Sequence, residues 1–281
     1  DTAALDYFGT ALAIDGDSLV VGANLANTSS IDSGAAYVFT RSGTMWTEQQ
    51  KLISIDPATQ DYFGTSVAIS GDRVLVGEWG DQPTTTVNDN GAAHFFTRTA
   101  GVWTHLKKIV ASDSTNGDGF GTAVALQGTV AVIGAPSDDD VGTNAGSVYM
   151  LDKDTGGVDN WGEVTKVRAL DGLVNEFLGY SVSVSGTTAI AGAYGANDKG
   201  TEGGTAYVFT QSGSVWNEQA KLFPMDGTAA DRFGFTVSMS GDTALVGAYL
   251  HDGVAVDGGA AYVFVRTGMT WTQQAKLVSA D

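Results

Sequence analysis

The densest oxygen donors in this 281-residue chain are the run Asp138-Asp139-Asp140, followed by Asn144, and the pair Asp252 and Asp257. Calcium takes about six to eight oxygens from carboxylates and carbonyls carried on loops. Asp138, Asp140, Asp252 and Asp257 are therefore read as candidate metal ligands, with calcium as the candidate cofactor; Asp198 with Glu202 is a sparser case. A second reading stands beside it. Asp and Asn also hold turns by bonding nearby backbone, and a solvated acidic face needs no ion.

Side chains for covalent or acid–base chemistry are scarce. His94, His105 and His251 are scattered, and there is no G-x-S-x-G elbow, H-E-x-x-H pair or P-loop. His94 stands where another copy of the repeat has Tyr37 and is expected to be a packed strand residue. His251, beside Asp252 in a long loop, could join a polar site. The chain is read as non-enzymatic. Trp79, Tyr194 and Tyr249 each follow by two positions the glycine that closes a second strand. They are candidate ligand platforms for a sugar, with simple packing as the alternative.

The elements that position these groups are written as a repeat. Asp56 and Asp61, then Phe63-Gly64, an alternating apolar run, Gly77, Gly91, and Trp103 with Lys108 mark one copy. The copies run 1–55, 56–112, 113–170, 171–225 and 226–281. Within a copy, Phe8 to Ile14 alternates, Asp15-Gly16 supplies a hairpin turn, and three further strands follow. No stretch carries a sustained helical period. Four-stranded units repeated radially make a β-propeller, in which neighbouring units bury each other's apolar faces. The expected fold is therefore all-β, a propeller of five four-stranded antiparallel blades with the first strand of each innermost. Trp46, Trp103, Trp161, Trp216 and Trp271 are expected to fill space between blades. Each blade should be one continuous copy, and the ring is expected to close by packing copy one on copy five.

The net charge of −18 argues against a nucleic-acid partner. No run of about 18 apolar residues offers a membrane span. Zero cysteines exclude disulfides and thiolate sites. There is neither a visible signal peptide nor an initiator Met, so a mature product or an excised segment is expected. In a meander the second loop and the link to the next blade share one end of the strands. Most of the acids fall there, so one face should be strongly acidic. The expected partner is a protein or glycan on that face, at an extracellular or cell-surface location; the alternative is self-association as a structural building block.

Phe120-Gly121 followed by Gly134-Ala135-Pro136, with near copies at Phe8-Gly9/Gly22-Ala23 and Phe233-Gly234/Gly247-Ala248, resembles the FG-GAP repeat of the integrin α-subunit propeller and its bacterial relatives. The resemblance implies the propeller fold and an adhesion module. Integrin repeats often carry a calcium loop between the first and second strands; here that place holds tight turns such as Asp15-Gly16, so that site does not carry over. Integrin propellers have seven blades, so five copies imply a five-bladed ring or part of a longer array.

Overall fold

The computed structural model describes residues 5–82, 89–253 and 255–279. Blade one holds β1 (Phe8–Asp15), β2 (Ser18–Ala23), β3 (Ala35–Ser42) and β4 (Met45–Leu52). Blade two holds β5 (Phe63–Ser70), β6 (Arg73–Glu78), β7 (Ala92–Thr99) and β8 (Val102–Ile109). Blade three holds β9 (Ala123–Gln127), β10 (Val130–Ala135), β11 (Ser147–Asp152) and β12 (Gly162–Val167). Blade four holds β13 (Ser181–Ser185), β14 (Thr188–Ala193), β15 (Thr205–Ser212) and β16 (Val215–Leu222). Blade five holds β17 (Phe233–Ser240), β18 (Thr243–Ala248), β19 (Ala260–Thr267) and β20 (Thr270–Leu277). Every sheet is an antiparallel meander in chain order, and no described strand crosses between sheets. The fold is an all-β propeller of five four-stranded blades.

Packing between neighbouring blades runs chiefly through the first strands, β1 on β5, β5 on β9, β9 on β13 and β13 on β17, which makes them the inner strands. The apolar alternation supplies the interface: Val20, Ala36, Val38 and Leu52 of blade one meet Phe63, Val67 and Ile69 of blade two. The tryptophans join blades as expected. Trp103 Nε1 donates to Gln49 of the preceding blade at 2.9 Å, and Trp161 stacks on Phe95 at 4.3 Å.

The Phe-Gly pair is pinned to the blade before it. Phe63 N donates to Ser33 O at 3.1 Å, Phe120 N to Asn90 O at 2.9 Å, and Phe233 N to Gly203 O at 3.0 Å. The glycine that closes each second strand answers it. A Cβ on Gly22 would lie 2.0 Å from Gly64 O, so nothing larger fits.

Closure of the ring is not what the structure shows. Among the described residues β17 does not pack on β1 as the other neighbouring first strands do. Gly247 meets only its own blade's Thr236 and Tyr249 lies over Gly259, whereas Gly9 has nothing within 4 Å. Phe8 is 47% exposed while Phe63 is 0%; at the other end Leu245 is 40% exposed while its counterpart Val20 is 0%. The blades form an open arc. The repeat pattern sets what each interface contains, but the angle between blades decides whether the last face meets the first.

No helix among the described residues is long and apolar enough to cross a membrane.

Candidate functional site

On the loop face, each of blades two to five holds the penultimate lysine of its fourth strand, partly buried, against acids of its own copy. In blade three Lys166 Nζ lies 2.8 Å from Asp113, 2.5 Å from Asp138 and 2.6 Å from Asp140. Tyr149 donates its hydroxyl to Asp113 at 2.8 Å and lies under the ammonium. Burial pulls the Lys166 ammonium down, but its bonds to Asp113, Asp138 and Asp140 outweigh this and hold it above the ordinary lysine range. Burial raises Asp113 and Lys166 lowers it, with a net shift downward. Lys221 repeats the arrangement with Asp171 and Asp198, and Lys276 with Asp226.

Asp138 and Asp140 are thus brought together, around a lysine and with Arg168 also on Asp140. Asp252 and Asp257 also meet, but in blade five and through the backbone: Asp257 N donates to Asp252 Oδ1 at 2.9 Å. That bond closes a loop in which Asp257 has a φ of 53°. The same five-residue closure joins Asn27 to Asp32, Asp139 to Asn144 and Asn197 to Glu202. Second acids of the links hold turns too; Asp118 accepts from Thr115 N at 2.6 Å and Asp231 from Thr228 N at 2.7 Å. His251 lies in a cleft with Asp226 and Asp252, its Nδ1 3.0 Å from Asp231 and its Nε2 2.6 Å from Lys276 Nζ.

Blade two departs from this plan. Its lysine, Lys108, bonds Asp56 and Asp81 at 2.7 Å each. The tyrosine position is His94, and the alanine after the strand-closing glycine is Glu78. Both are 0% exposed, and His94 Nε2 lies 2.6 Å from Glu78 Oε2. His94 Nδ1 lies 3.1 Å from His105 Nε2. Burial, helped by Asp81 and opposed by Lys108, pushes the Glu78 carboxyl up to about 8. Burial and then the Lys108 charge push His94 down to about 3; burial and then His94 push His105 down to about 4. At neutral pH Glu78 and His94 are therefore a neutral pair. The carboxyl O–H donates to His94 Nε2, and His94 Nδ1–H donates to His105.

Two of the three candidate aromatic platforms, Trp79 and Tyr194, converge on a groove of about 270 Å³ spanning three blades. Trp79 and Tyr194 line it with Tyr180, Phe177, Pro136 and Thr122. Trp79 stacks on Tyr62 at 5.0 Å; Tyr194 stacks on Phe177 at 5.1 Å and has the Arg232 guanidinium 5.2 Å over its ring. Tyr249 does not line this groove; Phe235, 4.4 Å from Tyr249 and 5.0 Å from Tyr180, connects the two.

The FG-GAP repeat family matches the chain at residues 1–39, 46–96, 103–151, 161–209 and 216–264. The chain belongs to the FG-GAP repeat family. No curated protein sequence matches it. Among solved structures, a Bacteroides fragilis protein assigned as a 6-phosphogluconolactonase matches with a TM-score of 0.62 at 10% identity, over 96% of this chain and 71% of that one. At that identity the likeness concerns the fold alone.

The FG-GAP pattern makes the blade-two cluster legible in retrospect. Glu78 replaces Ala23, Ala135, Ala193 and Ala248, and His94 replaces Tyr37, Tyr149, Tyr207 and Tyr262. His105 stands where other copies have Glu48, Glu163, Glu218 and Gln273. Read singly, each is a tolerated departure. Glu78 pairs with Ala92, so His94 two residues on is its diagonal neighbour on the same face of the sheet. The strand register is the signal that links the two positions.

Proposed function

We propose that this FG-GAP arc is a non-catalytic binding module of an extracellular or cell-surface protein, and that its ligand seat is the aromatic groove. The groove carries the reading. Trp79 and Tyr194 arrive from different blades, and tyrosine and threonine hydroxyls lie between them. A ring with one face packed, as Trp79 has, and polar groups near its edge suit a ligand that is apolar on one side and hydroxylated at its rim, as a sugar ring is. Two further features support a binding rather than a catalytic role. The lysines of the loop face are engaged by acids, and the Glu78 and His94 side chains are buried against each other. FG-GAP repeats are typical of extracellular and surface proteins, which supports the location.

Calcium belongs to this reading at the blade-five loop. Asp252 and Asp257 face solvent there, whereas Lys166 neutralises Asp138 and Asp140. The test of the ligand class is an array of immobilised glycans probed with the native chain and with Trp79→Ala. Glycan signals that fall with Trp79→Ala support it. An array without signals, or signals indifferent to Trp79→Ala, overturns it, and a protein ligand on the acidic face then becomes the better reading.

A further inference from the structure

Blade two differs from the other blades at positions that touch one another, and together they change what the lysine well can hold. The donor atoms of Asp56, Glu78 and His94 all lie within 4.8 Å of one another. Elsewhere the tyrosine hydroxyl reaches an acid of the link, as Tyr149 reaches Asp113, Tyr207 reaches Asp171 and Tyr262 reaches Asp226. His94 is shorter, and the Glu78 carboxylate enters the space beside it.

Three carboxyl oxygens of blade two are left without a partner. Glu78 Oε1 makes no hydrogen bond although its side chain is 0% exposed, and Asp61 Oδ1 and Asp81 Oδ2 are also buried and unpaired. Buried polar atoms are nearly always satisfied, and an unpaired carboxylate oxygen is among the costliest exceptions. Asp56, Asp61, Glu78 and Asp81 all act on the single ammonium of Lys108. Blade three sets its acids against both Lys166 and Arg168.

We propose that blade two holds a divalent transition-metal ion of the zinc class, bound by Glu78, His94 Nε2 and Asp56. Imidazole and carboxylate are both ligands of such ions, and three protein ligands leave a fourth position for water. The surroundings match those of a built site. His94 Nδ1 is held by His105 at 3.1 Å, which fixes the ring with Nε2 turned toward Glu78. Ser54 Oγ lies 3.1 Å from Asp56 and 3.2 Å from Glu78. Asp56 is exposed while the other two ligands are buried, so the ion enters from the link side. This site is separate from the aromatic groove and does not depend on the ligand proposed for it.

The test is zinc chloride titrated calorimetrically into the full chain after dialysis against chelator, beside E78A/H94Y, which carries the residues of the other blades. The expected result is one zinc per native chain and at least a hundredfold weaker uptake in the variant, with a tetrahedral visible spectrum when cobalt replaces zinc. Because Ala and Tyr fill these positions in every other blade, E78A/H94Y should fold. Should it not, Glu78→Gln keeps the shape, removes the carboxyl that must ionise to bind the metal, and must also lose the ion. No uptake by the native chain, or equal uptake by a folded variant, overturns the proposal.

Discussion

The carbonyl oxygen of Gly64 sits over Gly22 so closely that a Cβ on Gly22 would lie 2.0 Å from it. This contact, between the glycine closing one blade's second strand and the Phe-Gly glycine of the next, recurs at Gly77–Gly121, Gly134–Gly179 and Gly192–Gly234. It is the physical content of the motif that names the family, and Gly247, at the open end of the arc, lacks it.

The open arc makes equivalent residues unequal. Phe63→Ala removes a ring buried against blade one and should cost about 3–5 kcal/mol. Phe8→Ala, at the same repeat position but half exposed, should cost about 1 kcal/mol. Urea unfolding of the two variants checks this; equal losses would mean that blade one is covered in solution.

Lys166 should be needed by its own acids. Lys166→Met leaves Asp140 with Arg168, and Asp113 and Asp138 with the Tyr149 hydroxyl as their nearest partner. Removing one partner of a buried ion cluster costs about 3–5 kcal/mol, and partial exposure of Asp113 and Asp140 should bring this toward the lower end. The variant should also acquire a calcium-dependent melting temperature at blade three. In the native chain any calcium response should vanish with Asp252→Asn/Asp257→Asn and survive Asp138→Asn. Thermal melts in chelator and in millimolar calcium separate these outcomes.

The Glu78–His94 pair predicts a pH dependence in the metal-free chain. Glu78 has its folded value raised to about 8, so its contribution is full below the ordinary glutamate range and is lost as pH rises through 8. His94 has its folded value lowered to about 3, so its contribution is present above the ordinary histidine value and lost on acidification. The two slopes oppose each other at mildly acidic pH. Asp61, raised to about 6, has nearly finished titrating by pH 7, and Glu176, raised to about 7, is half titrated there, so its share of any further fall is the smaller one. Between pH 7 and 8 the fall is therefore chiefly Glu78's, on the order of 1 kcal/mol. Urea midpoints at the two pH values should move in the native chain and move by less than half as much in E78A/H94Y, where Glu176 still titrates. An equal slope in both would show that Glu78 is ionised throughout.

Much of the fold was legible because a short repeat constrains it many times over. The alternation from Phe8 to Ile14, the Asp15-Gly16 turn and the strand-closing Gly22 each have counterparts in other copies, and all of them name strands, turns and contacts correctly. Closure was not legible, since no residue pattern encodes the angle between blades. The loop acids were read for their oxygen donors without their backbone. Asp252 and Asp257 are five apart because one accepts a hydrogen bond from the other's main chain across a left-handed residue. Asp138 and Asp140 did come together, but the lysine that meets them is distant in sequence, on β12. Trp79 and Tyr194 were found by their position after a glycine; that they line one groove followed only from the curvature of the arc.

The claim that the aromatic groove is the ligand seat is tested most directly by calorimetric titration of an array-selected glycan into the native chain, Trp79→Ala and Tyr194→Ala. Each stacking contact is worth about 1 kcal/mol, so each variant should bind about five- to tenfold more weakly with its melting curve still cooperative. Tyr249→Ala, whose ring lies outside the groove, should bind as the native chain does. Unchanged affinity in both Trp79→Ala and Tyr194→Ala, or a loss confined to Tyr249→Ala, would contradict the account.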